Sequence, residues 1–152
     1  MRISREQMFM DIAEVVAKRS TCLRNNVGAI IVSDFTNNIQ SIGYNGLPTK
    51  QPHCTLSSCC GKGCSLVIHA EANAIERATL FDRISYSLYV TVSPCINCAK
   101  KIIEAKLIRK VFYRYPYRDL SGIIKLLENG IEVYRILPSG EIIGEKEEWN
   151  GK

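Results

Sequence analysis

No stretch of this sequence is long and apolar enough to cross a bilayer. Its apolar runs, such as Val27 to Val32, fall far short of the ~20 residues a spanning helix needs. The N-terminus opens on Arg2, Arg5 and Glu6 and lacks an apolar core followed by a small-residue cleavage site. No secretory signal is therefore expected, and the cytoplasm is the default compartment. Internal repeats and linkers are also missing, so 152 residues predict one domain, 1–152, with a polar, mobile tail over 138–152. Charge of one sign is not in large excess: a net +5 suits an anionic small molecule or a nucleic acid and decides between neither. What the chain does have is 46% hydrophobic residues, enough for a core, and seven cysteines. An odd number of cysteines without a signal argues against a disulfide framework and for metal ligation or reactive thiols.

Ser4-Arg5-Glu6-Gln7 has the spacing of a capping box, and Met8, Phe9, Ile12, Val15 and Val16 follow at helical intervals, predicting a helix to about Arg19. Val27–Val32 and Ile39–Tyr44 read as two strands joined by a polar hairpin loop. The segment from Gly46 to Cys64 holds Pro48, Pro52, Gly61, Gly63 and four cysteines without periodicity. It is a loop that something other than an apolar core must order, and a metal is the natural candidate. Beyond it, helices are expected at Ala70–Leu80, Cys95–Ala105 and Leu120–Asn129, and strands at Leu88–Val92, Val111–Tyr113 and Glu132–Ile136. A hairpin followed by alternating helices and strands predicts an α/β fold, a three-layer α/β/α sandwich around a mixed five-stranded sheet.

Two short motifs open two of those helices: His69-Ala70-Glu71, and Pro94-Cys95-Ile96-Asn97-Cys98. Cys95 and Cys98, three apart, are neighbours on one helical face. Two thiolates and one imidazole make three protein ligands for a tetrahedral zinc, leaving the fourth position for water, as in catalytic sites. Bound zinc lowers the pKa of water to about 7, and helix N-termini favour the thiolate form. A carboxylate two residues from the histidine can serve that water without binding the metal, which makes Glu71 the expected catalytic proton shuttle. The combination H-x-E with a later P-C-x-x-C is the signature of zinc-dependent nucleobase deaminases. A purely structural zinc site has four protein ligands and no use for a free carboxylate beside them, so Glu71 argues against a non-enzymatic zinc module.

With these residues placed, the chain from about Ile3 to Ile136 resembles the bacterial and phage branch of the deoxycytidylate deaminase family. The resemblance extends over Arg19-Ser20-Thr21-Cys22, Val27-Gly28-Ala29, Gly43-Tyr44-Asn45-Gly46-Leu47-Pro48, His53-Cys54 and Ile68–Ile75. It implies the cytidine-deaminase-like fold and a hydrolase converting dCMP to dUMP and ammonia, supplying thymidylate synthesis. By this similarity Arg24, assisted by Asn26, meets the 5′-phosphate, Asn45 bonds the deoxyribose hydroxyl, and Ala70 belongs to the substrate site. An aromatic after the fourth strand covers the pyrimidine; Tyr117 is preferred to Tyr115. Cys22, Cys54, Cys59 and Cys64 stand where similar proteins carry structural zinc ligands, with Cys60 an alternative to Cys59. The resemblance further implies a homohexamer activated by dCTP and inhibited by dTTP, with Mg2+ accompanying the effectors at Gly43, Tyr44, Asn45 and Gly46. A deaminase of free cytidine or of tRNA adenosine would use the same zinc and glutamate. A tRNA enzyme needs an extended basic surface, whereas a mononucleotide needs only a local cluster, so no nucleic-acid partner is expected.

Overall fold

Ser4 caps the first helix as its spacing predicts, its hydroxyl accepting the Gln7 N–H at 3.1 Å, and α1 runs over Arg5–Ala17. Only half of the expected capping box forms. The Gln7 amide reaches forward to Asp11 at 2.6 Å rather than back to Ser4. Asp11 in turn pairs with the buried Arg114 at 3.3 Å, and Glu14 does so at 2.9 Å, which ties α1 to the end of a central strand. The computed structural model describes residues 1–52 and 66–145.

The strands are β1 (Gly28–Ser33), β2 (Ile39–Tyr44), β3 (Tyr86–Val92), β4 (Ile108–Tyr115), β5 (Glu132–Ile136) and β6 (Ile142–Gly144). They form one sheet in the order β2-β1-β3-β4-β5-β6. The β3–β4 and β4–β5 pairs are parallel and the others antiparallel. The sheet is therefore mixed, as expected, but has six strands rather than five. The extra one is drawn from the segment whose composition reads as a polar tail: Ile142 to Gly144 pair with Tyr134 to Ile136, satisfying the outer edge of β5.

The remaining helices are α2 (Ala70–Arg77), α3 (Ile96–Glu104) and α4 (Ser121–Glu128). All three pack on one face through Ala70, Ala74, Ala99, Ile102, Ile123 and Leu126, while among the described helices α1 covers the other through Phe9, Met10, Ala13 and Val16. On the α1 face Tyr89, Phe112 and Tyr134 lie in register on three adjacent strands, with ring centroids 4.6 and 5.1 Å apart. Each such pair contributes ~0.5–1.5 kcal/mol beyond its burial. No described helix is long and apolar enough to cross a membrane.

Gly43 decides how closely α2 approaches the sheet. A Cβ there would lie 2.3 Å from the Ala70 carbonyl oxygen and 2.5 Å from the Ala74 nitrogen, both backbone atoms that cannot step aside. Gly43→Ala should therefore destabilise the chain by roughly 1–3 kcal/mol, the usual cost of overpacking, measurable as a lower denaturant midpoint. An unchanged midpoint would mean that the contact is loose.

Candidate active site

The parallel strand β3 ends at Val92, and the chain turns through Ser93 and Pro94 into α3, whose N-cap is Cys95. The N-cap of α2 is His69, held by the preceding bridge in which Ile68 and Gly46 exchange two backbone hydrogen bonds of 2.8 and 3.1 Å. Two helix N-termini thus converge beside the C-terminal end of β3, where carboxyl-end crevices of α/β sheets place their ligands. Cys95 Sγ lies 3.5 Å and Cys98 Sγ 3.3 Å from His69 Nδ1, and the three ligand atoms all fall within 4.8 Å of one another. Tetrahedral zinc with Zn–S of ~2.3 Å and Zn–N of ~2.0–2.1 Å implies S···N separations of roughly 3.6 Å. The triad fits that ion.

The electrostatics of the triad agree. The hydrogen bond from Cys98, reinforced by His69, pulls the Cys95 thiol down to about 3, and the same bond to Cys95 pushes the Cys98 thiol upward. The two sulfurs share a proton that a divalent cation would displace. His69 is raised, first by its hydrogen bond to Cys95. Glu71, second residue of α2, is 4% exposed, and its burial raises its proton affinity; its carboxylate lies within hydrogen-bonding reach of Cys98. The structure thus places a buried carboxyl beside the ligand set.

A cavity of about 290 Å³ opens over these residues, close to the lower end of the ~300–1,000 Å³ usual for small-ligand sites. His69, Glu71 and Cys95 line it together with Arg24, Asn45, Ala70 and Tyr117. Tyr117 is held there by its N–H, which donates to Ser93 Oγ at 2.7 Å. Tyr115, the alternative, turns away, is 49% exposed and donates its hydroxyl to Glu14 on α1. Asn26 is exposed and lies off the cavity wall, which Asn25 lines instead. The reason is local: the Asn25 carbonyl accepts the Asn45 side-chain amide at 2.7 Å, which draws that residue inward. Cys22 also lines the cavity, while Cys54, Cys59, Cys60 and Cys64 lie outside the described residues.

Besides Asn25, two polar lining residues are given no role by the sequence. Arg118 lies with its guanidinium 5.8 Å from the Tyr117 ring centroid and brings a second cation to the wall. Ser93 is buried and holds the chain turn that carries Tyr117. The only sequence signal for either is its position beside a residue already singled out. In the Gly43–Gly46 segment, Gly43 lies under α2, Tyr44 beneath Arg77 at 5.6 Å, Gly46 against Thr21, and Asn45 in the cavity wall.

An α/β sandwich with a His-Cys-Cys triad and a buried glutamate at paired helix N-termini defines a zinc-dependent deaminase domain. Residues 3–115 match the family described as the cytidine and deoxycytidylate deaminase zinc-binding region. ComE operon protein 2 of Bacillus subtilis is 40% identical over 140 residues, which cover 89% of this chain and 72% of that protein. The deoxycytidylate deaminase of Saccharomyces cerevisiae is 35% identical over 144 residues, 88% of this chain but only 45% of the yeast protein. The chain therefore spans less than half the length of the yeast relative. Among solved structures, dCMP deaminase from the cyanophage S-TIM5 in complex with dCMP and dUMP superposes with a TM-score of 0.76 at 32% identity, covering 89% of this chain and 98% of that one. The chain belongs to the deoxycytidylate deaminase family of zinc-dependent hydrolases.

Proposed function

We propose that this chain hydrolyses dCMP to dUMP and ammonia. The observation that carries the reading is the cavity itself, whose lining brings Glu71 and the His69 and Cys95 of the metal triad together with Arg24 and Arg118. Zinc held by His69, Cys95 and Cys98 would supply hydroxide near neutral pH. The Glu71 carboxylate takes a proton from the attacking water and delivers it to the ring nitrogen as the C4–O bond forms. It then takes the remaining proton of the new C4 hydroxyl and passes it to the amine, so that the C4–N bond breaks, the carbonyl forms and ammonia leaves. Burial suits Glu71 to this, because a carboxyl with raised proton affinity holds each proton between its uptake and its delivery. Arg24 and Arg118 offer planar guanidinium donors to the 5′-phosphate. Tyr117 covers the base, and Ala70, at the buried start of α2, closes the pocket beside it.

Asn45 has one side-chain hydrogen left for the sugar, since Nδ2 donates its other one to the Asn25 carbonyl at 2.7 Å, while Oδ1 already accepts from Val27 N at 2.8 Å and lies 2.5 Å from Ser20 Oγ. The family resemblance supports further features: a second zinc bound by Cys22, Cys54, Cys59 and Cys64, a hexamer, and control by dCTP and dTTP with Mg2+. The need for reduced thiols supports a cytoplasmic setting.

The test compares deamination of dCMP, deoxycytidine, dCTP and a tRNA anticodon stem, each with and without dCTP or dTTP. Fastest turnover of dCMP is expected, and preference for the nucleoside or the tRNA would overturn the reading. Metal analysis of the same protein should give two zinc ions per chain and one after Cys54→Ser. One ion in both would leave the catalytic site alone.

A further inference from the structure

Within Arg19-Ser20-Thr21-Cys22, Ser20 has no part in the proposed chemistry and does not line the cavity, yet it lies against Asn45, which does. Ser20 Oγ lies 2.5 Å from Asn45 Oδ1 and 2.9 Å from the Asn45 carbonyl oxygen, and it accepts the Cys22 N–H at 3.2 Å. The backbone settles which way the Asn45 amide faces. The Val27 N–H can only donate, so it faces Oδ1 at 2.8 Å; the Asn25 carbonyl can only accept, so it faces Nδ2 at 2.7 Å. Oδ1 has two lone pairs: Val27 fills one, and the single Ser20 hydroxyl proton, for which Oδ1 at 2.5 Å is a nearer acceptor than the Asn45 carbonyl at 2.9 Å, fills the other. Nδ2 has two hydrogens, of which Asn25 uses one. The buried Asn45 side chain therefore keeps one polar valence toward the cavity it lines, a single N–H.

The neighbouring residues interlock in the same sense. A Cβ on Gly46 would meet Thr21 Oγ1 at 2.6 Å, so the 20–21 and 45–46 segments lie directly against each other. Ser20 itself is anchored to the end of α1 by its N–H, which donates to the Ala17 carbonyl at 3.0 Å.

We infer that Ser20 is a positioning residue for sugar recognition: its hydroxyl fills the second lone pair of Asn45 and braces the amide, so that the site offers the substrate a donor alone. This rests on Asn45 being the contact for the deoxyribose hydroxyl. Without the Ser20 hydroxyl, Oδ1 has an open lone pair that competes for water and for the sugar's own proton, and the amide loses one of its three anchors. A misplaced donor weakens the sugar contact and leaves the remote metal ligands as they were.

The experiment measures kcat and KM for dCMP and for 2′,3′-dideoxycytidine 5′-monophosphate in the wild type, Ser20→Ala and Ser20→Thr. The wild type should prefer dCMP. Ser20→Ala should lower that preference roughly tenfold, mainly through KM for dCMP, as expected for one hydrogen bond. Ser20→Thr, which keeps the hydroxyl, should restore it. A preference that Ser20→Ala retains, or equal losses on both substrates, would overturn the inference and make Ser20 merely structural. A wild type that does not distinguish the two nucleotides would overturn the sugar reading of Asn45 and, with it, this role of Ser20.

Discussion

Glu71→Gln should keep its zinc and still bind dCMP while turnover falls by about 10⁴-fold or more. The amide preserves the shape of the carboxyl and one acceptor oxygen but cannot carry one proton from water to the ring nitrogen and a second from the C4 hydroxyl to the amine. General acid–base catalysis by one group is typically worth ~10²–10⁴-fold, and a group serving successive transfers belongs at the top of that range. The fold should not suffer. Glu71 is 4% exposed and its burial already favours the uncharged form, so a neutral isostere removes a desolvation cost. Single-turnover kinetics, metal content and a thermal melt separate the possibilities. Loss of zinc would make Glu71 a ligand or its support; a rate within about tenfold of wild type would sink the mechanism.

Arg24→Ala should cut kcat/KM for dCMP by roughly 10- to 150-fold, the equivalent of about 1.5–3 kcal/mol for a charge-assisted hydrogen bond. Its effect on deoxycytidine should be small, because only the nucleotide carries the charged partner. Arg24 is an exposed side chain on the cavity wall, so its removal leaves no buried group unpaired and the comparison reads binding rather than folding. Equal losses on both substrates would reassign Arg24 to structure. Arg118 shares that wall, so a small loss in Arg24→Ala with a large one in Arg118→Ala would move the phosphate contact along it.

The reacting groups are legible in the sequence because their spacing is local. His69 and Glu71 lie two apart at one helix N-terminus, and Cys95 and Cys98 three apart at another, so the turn geometry of each helix alone puts each pair on one side. Their types, two thiols, an imidazole and a carboxyl, then restrict the chemistry. The helices and strands are legible for the same reason, with boundaries off by a few residues: α2 stops at Arg77 rather than Leu80, and β4 extends over Ile108–Tyr115 rather than Val111–Tyr113. Buried central strands are apolar on both faces, and the exposed Arg109 and Lys110 near the start of β4 mask its first residues.

What the sequence by itself determined, then, is the class of fold, the His-Cys-Cys triad and the glutamate beside it. These depend on periodicity and on residue type within a few positions. Tertiary structure alone decided the rest of the cavity wall. Tyr117 faces the site and Tyr115 faces Glu14, although the two are only two residues apart. Asn25 lines the cavity where Asn26 does not, and Ser20 meets Asn45 across 25 residues of chain. Gly43 is required by the backbone of α2, and a sixth strand forms because β5 offers an open edge. Each of these depends on which distant segment arrives at a given face. No local pattern of residues records that, since a hydrogen-bond partner or a clash is set by distance in space rather than by separation along the chain.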